Sequence, residues 1–234
     1  MTPAQKLDEI LSRIRAACTS SGRPIESVSL LAVSKTFPAE DILALHACGQ
    51  RAFGENYLQE ALDKITQLNE LAASHPNVGE IQWHFIGPIQ SNKTKPIAEH
   101  FHWVHSVDRL KIAQRLSDQR PSDGPPLNVL VQVNTSGEAS KSGVSPDEVI
   151  ALCDAIRTMP RLTLRGLMTI PSNTDDTGKL REEFLLCKSL LDDLNAKGHG
   201  LDTLSMGMSG DLELAIECGS SCVRVGTALF GKRS

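Results

Sequence analysis

Short β-branched runs alternate with longer apolar stripes of helical period along almost the whole chain, and this alternation limits the possible folds more than any other feature. Strands are expected at residues 29–34, 52–54, 82–86, 103–106, 128–133, 163–169, 203–205 and 222–225. Between them lie helical stripes such as Leu58, Ala61, Leu62, Ile65 and Leu68, or Leu180, Phe184, Cys187, Leu191 and Leu194, each able to cover a face of a sheet. Parallel strands joined by right-handed helical crossovers close on themselves at eight. The expected fold class is therefore α/β, a single (β/α)8 TIM barrel. A doubly wound open sheet is the structural alternative, and both folds bind ligands beyond the C-terminal ends of their strands.

With 234 residues the chain is near the short limit for such a barrel. An extra amphipathic helix is expected over residues 1–20, with Leu7, Ile10, Leu11 and Ile14 on one face. The barrel is expected over 28–231, and 1–234 as one domain. The net charge of −4 supplies no basic field for a polyanion, so no nucleic-acid partner is expected. No run approaches membrane-spanning length and the N-terminus does not read as a signal peptide, so no membrane partner is expected either. The six cysteines are scattered, mostly in apolar segments, without the paired spacing of a disulfide framework or zinc site. A reducing cytoplasm is the expected setting. His100, His102 and His105 resemble metal-ligand spacing but lack carboxylate or cysteine companions, and strand alternation sends His102 and His105 to opposite faces. No metal site is expected.

Three segments carry the chemistry. Lys35 ends the apolar run Leu30-Leu31-Ala32-Val33-Ser34 and should point into the barrel mouth. Burial disfavours an ammonium and so favours the free amine that attacks an aldehyde, but a strand-end lysine that merely snorkels is an equal reading of this feature alone. The second segment is Ser205-Met206-Gly207-Met208-Ser209-Gly210-Asp211, where a strand ends and Ser209 is the expected N-cap of the next helix. Amide donors and the helix dipole attract phosphate there, and glycines admit a ligand close to the backbone. The third is Val223-Arg224-Val225-Gly226-Thr227, a strand that turns Arg224 inward and then opens into a second glycine-bearing turn. These are the loops after strands seven and eight, where barrels commonly place a phosphate. A buried guanidinium at Arg224 needs an anion or strong acceptor.

Val33-Ser34-Lys35-Thr36, Phe53-Gly54-Glu55-Asn56-Tyr57 and Trp83-His84-Phe85-Ile86-Gly87-Pro88-Ile89-Gln90-Ser91-Asn92-Lys93 resemble blocks of the pyridoxal-phosphate homeostasis protein family. Gly166-Leu167-Met168-Thr169 and the two phosphate-turn segments resemble further blocks in the same order, from about Ser29 to Gly231. The resemblance implies a barrel of the alanine racemase N-terminal type that holds pyridoxal 5′-phosphate (PLP) as an imine, with cytoplasmic or mitochondrial residence and no established turnover. By the same resemblance, Lys35 carries the imine and Ser209, Gly226 and Thr227 hold the phosphate. Arg224 approaches the pyridine nitrogen, and Asn56 and His84 line the pocket. Residues 171–178 match no block of the family.

A cationic donor at the pyridine nitrogen weakens the cofactor as an electron sink, which favours binding over carbanion chemistry. A two-base racemase also needs an opposed base, usually a tyrosine from a further domain. The only tyrosine here is Tyr57, and the chain ends at Ser234 directly after the last barrel unit. The expected role is a PLP carrier or buffer, not an enzyme, acting as a monomer with apo PLP-dependent enzymes as possible recipients. A racemase-like amino-acid enzyme and a sugar-phosphate isomerase or aldolase using Lys35 are the alternatives. Lys141, in the loop after residues 128–133, reads either as a mouth residue that handles the aldehyde or as a solvated loop lysine.

Overall fold

Eight parallel strands close into a barrel in chain order, with β8 returning to β1. They are β1 Ser29–Val33, β2 Ala52–Glu55, β3 Gln82–Phe85, β4 Trp103–Val107, β5 Leu127–Val133, β6 Leu162–Thr169, β7 Thr203–Ser205 and β8 Cys222–Val225. The computed structural model describes residues 1–74 and 80–231; residues 75–79 and 232–234 of the expected domain lie outside the described residues. Each strand edge falls within one residue of the expected position, because β-branched runs bounded by polar or glycine residues leave little freedom for the ladder ends. The closed barrel excludes the open sheet.

Helices α1 Pro3–Ser20, α2 Ala39–Ala47, α3 Leu58–Ser74, α4 Thr94–His100, α5 Leu110–Gln119, α6 Val149–Arg157, α7 Thr177–Ala196, α8 Leu212–Glu217 and α9 Thr227–Phe230 follow or precede the strands. Helix α1 begins at a capping box in which Thr2 and Gln5 satisfy each other's backbone N–H, and it buries Leu7, Ile10 and Ile14 as the stripe requires. Helix α7 starts at Asp176, whose side chain accepts from the N–H groups of Gly178 and Lys179. The main core is the shell between strands and helices, where Phe53, Phe101, Phe184, Ile112 and Leu127 are fully buried.

The barrel interior is different. Among the described residues its separate apolar cluster comprises the buried Leu31, Val33, Ile86 and Cys222, with the partly buried Ala52 packed against them. Beside it stand His84, His105, Ser205 and Arg224, all buried. A barrel lumen is normally packed with branched apolar side chains, so a polar column marks where this fold departs from simple packing.

Candidate functional site

Period-two alternation along β1 turns Leu31 and Val33 to the lumen, and the same parity carries Lys35 to the mouth just beyond the strand. On β8 the register Leu31↔Arg224 sets Arg224 across from it. Between them, at the C-terminal ends of the strands, opens a cavity of about 300 Å³, a volume suited to a small organic ligand. Lys35, Asn56, Ser209, Arg224, Gly226 and Thr227 all line it. Asn56 Oδ1 is buried there without a hydrogen-bond partner. Phe37, Ile86, Ile170 and Met208 complete the wall. Their apolar character carried no sequence signal, since each reads as ordinary core or loop.

His84 lies one layer below the cavity and not in its wall. Its ring stacks on Trp103 at 5.3 Å, and its Nδ1 sits 2.9 Å from His105 Nε2. His105 Nδ1 continues to Ser205 Oγ at 3.0 Å. Arg224 donates to the same Ser205 Oγ at 2.8 Å and to the Thr169 carbonyl at 2.9 Å. The column His84–His105–Ser205–Arg224 thus supports the cavity floor. Burial pushes His84 down to about 3, with a smaller contribution from His102. Burial, then His84 and Arg224, hold His105 well below the usual histidine range. Both rings are neutral at physiological pH, so the guanidinium is the column's only cation. Ser205, His105 and Thr169 escape sequence reading because their roles depend on which strands become neighbours.

The two glycine turns meet at the wall beside β1. Gly226 passes so near β1 that an added Cβ would lie 3.2 Å from the Val33 carbonyl oxygen. Gly207 has φ +95°, and a Cβ there would meet that of Ala215 at 2.5 Å, so only glycine fits this bend. The expected Ser209 N-cap is corrected: the cap position of α8 is Asp211, which makes no side-chain cap and instead accepts from the Met208 N–H at 2.5 Å. That bond closes the turn two residues later than the serine, leaving Ser209 on the cavity wall. The Ser209 carbonyl is held from behind by Arg13 of α1 at 3.0 Å, and Arg13 also pairs with Glu213 at 2.6 and 2.9 Å. The N-terminal helix therefore anchors this turn.

Lys35 is half-buried. Thr36, directly after it, has φ +68°, an αL conformation that costs a β-branched residue on the order of 1 kcal/mol or more. Lys141 lies in a side opening of about 180 Å³ that shares Asn56, Ile86 and Ile170 with the main cavity, and it donates to the Pro171 carbonyl at 2.6 Å. Residues 171–172 are further tied by Glu183, which accepts from the Ser172 N–H and hydroxyl. Of the three histidines with metal-like spacing, His102 accepts from the Trp83 N–H and His105 belongs to the column. Among the described residues no group of three potential ligands converges.

A closed eight-stranded barrel with a lysine after β1, an arginine on β8 and glycine turns after β7 and β8 defines a class. The chain belongs to the alanine racemase N-terminal domain family, whose profile matches residues 6–234. Within it the chain falls among the pyridoxal phosphate homeostasis proteins: it is 57% identical over 99% of its length to the one of Pseudomonas aeruginosa, covering 96% of that protein. It is similar to PipY of Synechococcus elongatus PCC7942, solved with PLP bound, at 33% identity and TM-score 0.82, over 98% of this chain and all of that one. The alanine racemase of Corynebacterium glutamicum shares the fold alone, at 17% identity and TM-score 0.67, over 97% of this chain and 62% of the racemase.

Proposed function

We propose that this protein holds PLP as a reversible imine on Lys35 and serves as an intracellular carrier or buffer of the cofactor. The observation that carries this reading is the convergence of Lys35, Arg224 and both glycine turns on one cavity of fitting size. The naming of the Pseudomonas relative and the PLP bound by PipY support it. Lys35 would supply the amine for an imine with the aldehyde, releasing one water, and return of water or another amine would reverse it. Ser209, Gly226 and Thr227 would hold the phosphate with amides and hydroxyls of turns whose first-turn N–H groups have no intrahelical partner. With PLP bound, Arg224 would lie toward the pyridine nitrogen, and its column of histidines, whose charged forms burial disfavours, would offer that nitrogen no acidic proton. Asn56 supplies a polar atom to the wall, and His84 steadies the floor from below.

What surrounds Lys35 supports binding without turnover. A guanidinium at the ring nitrogen discourages its protonation and so weakens carbanion stabilisation. Tyr57, the only tyrosine of the sequence, is 53% exposed and is not among the residues that line the cavity. Among the described residues no helix is long and apolar enough to cross a membrane. Five of the six cysteines are buried and all are free, in keeping with a reducing cytoplasm. We take the protein to act there as a monomer that passes PLP to apoenzymes. Purified protein given PLP should develop a visible imine absorption band that Lys35→Ala lacks, and should neither racemise nor deaminate amino acids at enzymic rates. A wild type without the band, or turnover that persists in Lys35→Ala, contradicts the reading.

A further inference from the structure

Lys64 is a second lysine close to the site, and it does not line the cavity. It sits on α3, buried, with three acceptors around its ammonium: Glu55 Oε1 at 2.8 Å, Glu60 Oε1 at 2.5 Å and the Ser34 carbonyl at 2.9 Å. An ammonium has three N–H donors, so every one is committed. The Ser34 carbonyl belongs to the peptide unit on the N-terminal side of Lys35. The unit on the C-terminal side is held as well, because the Thr36 N–H donates to the same Glu60 Oε1 at 2.6 Å. Glu55, fully buried, also accepts from the Ser34 hydroxyl at 2.6 Å. The bonds Ser34 O–Lys64–Glu60–Thr36 N close a ring around the backbone of Lys35. The left-handed residue Thr36 follows directly where that ring closes, and its strain persists only where the surroundings over-determine it.

We propose that Lys64, through its ring with Glu60 and the two peptide units of Lys35, is a positioning residue that aims the Lys35 amine into the cavity. This rests on the imine reading above. Fixing both peptide units fixes the Cα–Cβ direction, and imine formation depends on approach geometry far more than phosphate or ring binding does. The same three bonds keep Lys64 itself from competing for the aldehyde.

The test uses two probes on the full chain: PLP, and pyridoxine 5′-phosphate, which has an alcohol in place of the aldehyde and forms no imine. Lys64→Met and, as a partly exposed second variant that spares the buried pair, Glu60→Ala should each weaken PLP binding and slow imine formation by about tenfold to a hundredfold. Pyridoxine 5′-phosphate affinity should stay within about twofold of wild type, and Lys64→Met should have no effect in a Lys35→Ala background. Equal loss of both probes, or no loss of either in either variant, overturns the proposal. If Lys64→Met does not fold, Glu60→Ala alone decides. A wild type that binds both probes equally and yields no borohydride-fixed adduct on Lys35 overturns the imine reading and this proposal together. An intact wild-type imine with unaffected variants overturns only the proposal.

Discussion

Ser205 shows how much one hydroxyl can hold. It is fully buried, accepts from Arg224 at 2.8 Å and lies 3.0 Å from His105 Nδ1. Ser205→Ala leaves a guanidinium N–H and an imidazole nitrogen without that partner, which should cost about 2 kcal/mol of unfolding free energy, read from urea midpoints. Arg224 was legible because it alternates with Val223 and Val225, whereas Lys35 ends an apolar run that by itself allowed a snorkelling lysine equally, and its imine role came from the family resemblance. Ser205 was not legible, since nothing local pairs it with a histidine a hundred positions away. Lys64 was masked for a different reason. Four residues after Glu60 on a helix, it has the spacing of a common surface ion pair, yet Ala61, Ile65 and Leu68 on neighbouring turns are buried with it.

Among the elements, strands were the most legible and helix starts the least. Eight strand positions followed from β-branched runs, while the start of α8 did not, because Asp211 closes its turn by bonding to Met208 where the sequence suggested Ser209 as a cap. The β6–β7 contact supplies a sharper test of the barrel. Gly166 on β6 stands so close to β7 that a Cβ would lie 1.7 Å from the Thr203 carbonyl oxygen. Gly166→Ala must push the strands apart and should cost more than about 3 kcal/mol, seen as a large fall in Tm or as insoluble protein. A near-neutral variant contradicts the packing of these two strands.

For the whole molecule, the polar column links the site to stability. A histidine held neutral in the fold but free to charge when unfolded leaves stability fully present above its ordinary value of 6.5, and lost as pH falls from there toward the folded value, about 3 for His84. The loss approaches about 1.4 kcal/mol per pH unit for each such ring. Burial raises the Glu55 and Asp211 carboxyls, which act with the opposite sign in wild type and variant alike, so comparing the two isolates the histidine between about pH 6.5 and pH 5. His84→Phe, which keeps a ring against Trp103, should flatten the fall in urea midpoint over that range; an unchanged slope contradicts a neutral buried His84. The central claim, that Lys35 is the residue that captures the cofactor, is tested most directly by borohydride reduction of the PLP-loaded protein followed by peptide mass mapping. The expected result is a phosphopyridoxyl group on the peptide that carries Lys35. An adduct confined to Lys64, Lys141 or other lysines, with Lys35 unmodified, contradicts it.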